Sequence, residues 1–216
     1  MADRAQAARR RRRELSQNFL RSRRLADDIV RGLDVRADEL VVEIGAGDGR
    51  LTAPLAERAR RVVAIELDPR LAKGLRRRFE VVEGDALSVT LPDEPFRVVG
   101  NVPFHLTTAI LRRLLGDLRS PLRRADLIVQ WGLACKRAVV VPTTQLGAEW
   151  GPWWELAVVR RIDASAFERD LTSMLRSYGS CGARRSSCRR HSFMSTARSC
   201  GMRSRTGFAR LSRRSH

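Results

Sequence analysis

Asn101-Val102-Pro103-Phe104 places three chemical tools within four residues. The Asn amide oxygen and a neighbouring backbone carbonyl can accept hydrogen bonds from an exocyclic amine. Proline fixes φ and stiffens the turn that aims them. The aromatic ring can stack on a flat heterocycle. Together they suit an adenine, whose amino group would be held while its ring is stacked. An ordinary strand-to-loop turn could carry the same four residues, so their neighbours decide.

A second group lies upstream, in Glu43-Ile44-Gly45-Ala46-Gly47-Asp48-Gly49. Glycines at alternate positions let the backbone turn with positive φ and approach a ligand closely. The spacing is G-x-G-x-G, which differs from the dinucleotide fingerprint G-x-G-x-x-G. Glu43 and Asp48 would set negative charge beside a phosphate, so a cationic or neutral ligand fits better. Glu66 follows about twenty residues on, where a carboxylate can accept from both hydroxyls of a ribose. Asp85, after Val81-Val82-Glu83-Gly84, can accept from an adenine amino group. Any one of these acids alone reads as a solvated strand end. Three at successive strand ends, on the edge where α/β sheets bind ligands, read as a nucleoside site.

The elements that must position them alternate. Ser22 is a fair N-cap for a helix over Arg23 to Leu33, with Leu25, Ile29 and Leu33 along one face. Strands are predicted at Leu40 to Ile44, Val62 to Ile65, Val81-Val82, Val98-Val99 and Leu127 to Val129. Helices are predicted from about Arg50 to Ala59, from Pro69 to Phe79 with proline in the first turn, and from Thr107 to Leu115. Only Glu80 separates Phe79 from Val81, so that helix is expected to end early. Short apolar strands alternating with helices predict a parallel sheet covered on both faces.

Length and charge set the partner. The chain has 216 residues, enough for one core of normal size, and a net charge of +18. Residues 1–24 carry nine arginines against Asp3 and Glu14, and residues 168–216 carry twelve against Glu168 and Asp170. The middle holds 21 basic and 20 acidic residues, so a near-neutral body lies between two basic ends. Arginine at that density attracts nucleic acid phosphate. No long apolar run, lipid anchor or signal core is present, which predicts a cytoplasmic protein without a membrane partner. Cys135 stands alone, and Cys181, Cys188 and Cys200 with His191 lack the paired C-x2-C spacing of a zinc knuckle. Reduced, incidental thiols and no metal are therefore expected.

The glycine loop, Glu66, Gly84-Asp85-Ala86 and Asn101-Val102-Pro103-Phe104 resemble the ordered motifs of S-adenosylmethionine-dependent methyltransferases. Leu15-Ser16-Gln17-Asn18-Phe19-Leu20 narrows the resemblance to rRNA adenine N6-methyltransferases. The Arg-rich leader, Val129-Gln130-Trp131 and Trp150-Gly151-Pro152-Trp153-Trp154 resemble the Erm-type branch, which modifies 23S rRNA. The resemblance runs from about Leu15 to Phe167. It implies a Rossmann-like α/β catalytic domain over residues 25–167, S-adenosylmethionine as cofactor, 23S rRNA as partner and a monomer. It implies resistance to macrolides, lincosamides and streptogramin B. It also implies cofactor contacts from Gln17, Asn18, Leu20, Gly45, Ala46, Gly47, Glu66, Leu67, Asp85, Ala86 and Asn101. Asn101, Pro103 and Phe104 would hold the target base. His105 adjoins them, but a protonated product amine loses its proton to water without a protein base. The alternatives are a small-subunit rRNA dimethyltransferase and an RNA-binding protein with a vestigial cofactor pocket.

After Phe167 the chain departs from the family pattern. A Pro-x-Pro-x-Val-Asp-type strand and a small helical domain would follow there. Glu168-Arg169-Asp170-Leu171 and a Ser/Arg/Cys-rich tail stand in their place. The tail, residues 168–216, is expected to be disordered, with the last strand and the helical domain lost or altered.

Overall fold

The computed structural model describes residues 19–137, 145–168 and 205–213. Helix α1 (Arg23–Arg31) opens at Ser22, whose hydroxyl accepts from Leu25 N at 3.3 Å. Strand β1 (Leu40–Ile44) is buried along its whole length, as a central strand covered on two faces must be. Helix α2 (Thr52–Ala56), β2 (Arg61–Glu66) and α3 (Pro69–Leu75) follow. Asp68 caps α3 by accepting from Arg70 N at 3.0 Å, with Pro69 in the first turn. Helix α3 ends at Leu75, and a turn over 76–79 leads into β3 (Glu80–Glu83), as the short link demanded. Strand β4 (Phe96–Asn101), a 3-10 turn (Phe104–Leu106) and α4 (Thr107–Gly116) come next. Then come β5 (Leu122–Gln130), α5 (Trp131–Arg137), α6 (Gln145–Trp150) and β6 (Trp154–Asp163).

The sheet order is β3-β2-β1-β4-β5-β7-β6, with β1 to β5 all parallel. The chain builds outward from β1 to β3, then crosses back to lay β4 against β1. That reversal opens a crevice at the carboxyl ends of the strands, where α/β sheets bind ligands. One face packs Val42, Ile44 and Val98 under Ile110, Leu111 and Leu114 of α4. The other packs Val41, Val62 and Val99 under Ala26, Ile29 and Val30 of α1 and Leu55 of α2. The α/β Rossmann-like class expected from the sequence is the class observed.

Strand β7 (Arg205–Arg213) corrects the reading of the tail. It inserts antiparallel between β5 and β6, where no further strand was expected. Ala209 and Leu211 are its apolar contribution to the core, and Leu211 is buried. A strand flanked on both sides borrows its core from its neighbours, so two apolar side chains suffice and the tail's composition hides it. The remainder of the tail, with Cys181, Cys188, His191 and Cys200, lies outside the described residues, as do Gln17, Asn18 and the leader before them.

At the end of the sheet opposite the crevice, Arg97 and Asp126 are 1% and 0% exposed. Arg97 Nη2 donates to Asp126 Oδ2 at 2.6 Å and to Leu33 O at 2.6 Å. Arg210 of β7 donates to Asp126 Oδ1 at 3.0 Å. A buried carboxylate thus ties β4, β5 and β7 to the turn after α1.

Candidate active site

Glu66 closes β2 and is 3% exposed. Its Oε2 accepts from Gly47 N at 2.7 Å and its Oε1 from Asp68 N at 2.8 Å. Each oxygen keeps a lone pair, so the carboxylate can still accept from a diol. Burial pushes its pKa up, and the amides of Asp68 and Gly47 hold part of that shift back.

The glycine loop hugs this carboxylate. Gly45 N donates to Ile65 O at 2.9 Å, which lays the loop across the end of β2. Gly47 has φ +61°, and a Cβ there would stand 2.6 Å from Phe19 Cε1. The position therefore excludes a side chain on both grounds. Phe19 reaches this place because Phe19 O accepts from Glu168 N at 2.8 Å and Arg21 N donates to Ala166 O at 2.7 Å. Asp48 is ion-paired with Arg50 at 2.7 Å, and Arg50 also reaches Glu168 at 2.7 Å and the Leu20 carbonyl.

Below the loop, Glu43 is buried, and its Oε2 has no hydrogen-bond partner among the described residues. Burial pushes its pKa up to about 8, with Glu66 and Asp48 adding repulsion. The Thr52 hydroxyl faces it and opposes the shift, but it is too poorly aligned to form a bond. At neutral pH Glu43 is mostly the neutral acid.

Asp85 follows β3, and its Oδ1 accepts from Leu87 N at 2.9 Å, which fixes the carboxylate in its turn. Asn101 ends β4. Gly100 before it lets β4 press on β1, since a Cβ there would lie 2.8 Å from Ile44 O. Pro103, with φ −56° and ψ 131°, is extended. Its carbonyl accepts from Leu106 N at 3.0 Å and from the Thr107 hydroxyl at 3.3 Å. The turn is thereby rigid.

Gly45, Gly47, Glu66, Leu67, Asp85, Ala86, Asn101 and Pro103 all line one cavity of about 180 Å³. Three expected contacts do not. Ala46 turns into a small cluster with Ala64 and Leu75. Leu20 and Phe104 pack with Val99 and Ile128 on the sheet face that α1 covers. The cavity also takes residues that site reasoning had passed over, Phe19, Leu106 and Ile110 among them. The signal for Phe19 lay in its own segment, beside Gln17 and Asn18. Leu106 and Ile110 carry no chemical signal and were legible only as helix-face positions.

The cavity fits S-adenosylmethionine by the chemistry of its walls. Ile44, Ile65, Leu67 and Val102 offer apolar surface to a purine, and two carboxylates stand ready for its ribose and amino group. No lysine or arginine lines it, so the site suits a sulfonium rather than a pyrophosphate. Residues 8–170 match the family described as ribosomal RNA adenine dimethylase. The chain belongs to this family.

Among its relatives, an rRNA adenine N-6-methyltransferase of Corynebacterium diphtheriae is 40% identical over 162 residues, covering 72% of this chain and 62% of that protein. The mycinamicin-resistance protein MyrB of Micromonospora griseorubida is 41% identical over 161 residues, covering 73% and 51%. The chain thus spans under two thirds of the length of these dimethylase-family relatives. The crystal structure of the 23S rRNA methyltransferase ErmE superposes with a TM-score of 0.69 at 30% identity, covering 91% of this chain and 70% of that one. Among the described residues, no helix is long and apolar enough to cross a membrane, and no metal-binding cluster of His, Cys, Asp or Glu occurs.

Proposed function

We propose that this chain methylates N6 of an adenine in 23S rRNA, with S-adenosylmethionine as donor, and thereby confers resistance to macrolides, lincosamides and streptogramin B. The observation that carries the reading is the convergence of Glu66, Asp85 and Asn101 on one cavity without basic walls. The names of ErmE and MyrB support the 23S target and the resistance. Residues 25–167 act as the catalytic domain of a cytoplasmic monomer, between a basic leader (1–24) and a basic tail (168–216).

When bound, S-adenosylmethionine supplies an electrophilic methyl group on a positive sulfur. Glu66 holds the ribose hydroxyls, while Asp85 with Leu67 and Ala86 holds the cofactor adenine. Gln17, Asn18 and Leu20 complete the cofactor contacts. The target adenine leaves its stack to reach the cavity. Its N6 lone pair is delocalised into the ring and needs help. The Asn101 side-chain oxygen and the backbone at Val102-Pro103 accept the amino protons, favour a pyramidal nitrogen and aim its lone pair at the methyl carbon. The rigid turn at Pro103 supplies that aim, and positioning supplies much of the rate. Phe104 rotates off its sheet-face packing to stack on the base. The proton released from N6 passes to water, so no side chain is needed as base.

The test is label transfer from methyl-labelled S-adenosylmethionine to protein-free 23S and 16S rRNA, followed by digestion to nucleosides. Label in N6-methylated adenosine from 23S rRNA is expected. Label in 16S rRNA alone would favour the small-subunit reading. Absence of label, with RNA still bound, would favour the vestigial one.

A further inference from the structure

Trp131 and Arg161 meet outside the cavity. The Arg161 guanidinium lies over the Trp131 ring, 5.8 Å from its centroid. Trp131 is half-buried and Arg161 exposed, so the cation forms the outer layer of the pair. Neither Arg161 nor the adjacent exposed Arg160 has a carboxylate partner among the described residues.

The sheet register sets this pair beside the candidate active site. Asn101 pairs with Ile128, Ile128 with Phe208, and Phe208 with Arg160, so one row of the sheet runs from Asn101 to Arg160. Three strand spacings separate its ends, roughly 14 Å. Arg161 occupies the next row, with Gly207 and Val129, two residues before Trp131. The face agrees as well. Ala134 of α5 and Ile110 of α4 belong to one buried cluster, and Ile110 also lines the cavity. Trp131, which opens α5, therefore stands on the cavity side of the sheet.

A guanidinium held flat on an indole keeps its second face and its outer N–H groups open. That is a surface on which a base can stack while a phosphate oxygen is bound. We propose that Arg161, held on Trp131, forms with Arg160 a docking platform for a nucleotide of single-stranded RNA flanking the target adenine. The inference rests on the RNA-methylating reading above and adds to it a place where the extruded strand is gripped.

The test uses the full chain, with filter binding of protein-free 23S rRNA, calorimetry of S-adenosylmethionine and thermal melting. Arg161→Gln and Trp131→Ala should each weaken RNA binding by about tenfold. Trp131→Phe keeps a ring and should restore most of the affinity. Arg161→Lys keeps the charge but loses the flat fork, and should bind nearly as weakly as Arg161→Gln. Cofactor affinity and melting should stay unchanged in Arg161→Gln, whose side chain is exposed, so the test stands even where Trp131→Ala fails to fold. RNA affinity within about twofold of wild type in Arg161→Gln would overturn the platform, as would wild-type affinity in Arg161→Lys. Wild-type protein that binds cofactor but no RNA would overturn the methylation reading itself, and the platform with it.

Discussion

Glu43 and Glu66 end adjacent strands beneath one loop, yet their surroundings give them different work. Glu66 meets two amide N–H groups, which hold its carboxylate in place for a ligand. Glu43 meets none, and its Oε2 is buried without a partner among the described residues. A buried carboxylate in that position is held as the neutral acid. The consequence for stability has a definite sign. The folded pKa of about 8 lies above the ordinary 4.5, so the folded state binds the extra proton. Its contribution is full below pH 4.5 and is lost as pH rises through 8. Glu66, raised in the same direction by burial, acts with it. Melting temperature should therefore fall between about pH 5 and pH 8, and Glu43→Gln should flatten that fall. An unchanged slope in the variant would show that Glu43 is already ionised in the fold.

Among the elements, the parallel half of the sheet was readable and the antiparallel edge was not. Strand β1 is a continuous apolar run, and each predicted acid follows an apolar strand, so both fold class and nucleoside site were visible in the order of residues. Strand β5 extends well beyond Leu127 to Val129, because Arg123, Arg124 and Asp126 interrupt its apolar pattern. The interruption has a structural reason, since Asp126 is the buried hub for Arg97, Arg124 and Arg210. Burial lowers the Arg124 pKa, and Asp126 opposes that shift. Strand β7 shows its period of two only beside its neighbours, and the sequence separation from β6 concealed it. Phe104 read correctly as the aromatic of its motif, but its resting packing on the sheet face could not be read from spacing. Asp126→Ala would leave buried guanidinium groups without their counter-charge. It should cost about 3–5 kcal/mol in urea unfolding. A loss below about 1 kcal/mol would mean that the hub is not what holds β7 against β5.

At the scale of the whole molecule, charge and site divide the labour. The net charge of +18 resides mainly in the ends, while the cavity has no lysine or arginine in its walls. RNA affinity should thus depend steeply on salt, falling by about tenfold or more between 50 and 200 mM, while cofactor affinity should barely move. Equal salt dependence of the two would place the basic groups at the cofactor instead. The same division lets the chemistry be isolated at one side chain. Asn101 closes β4 at the cavity, where it can hold the target amino group without carrying the cofactor's ribose or adenine. The most direct measurement is methyl transfer to protein-free 23S rRNA by Asn101→Ala, with S-adenosylmethionine binding followed on the same preparation. Label should drop by at least about a hundredfold while the cofactor still binds. Wild-type labelling by a folded Asn101→Ala protein would contradict the adenine clamp.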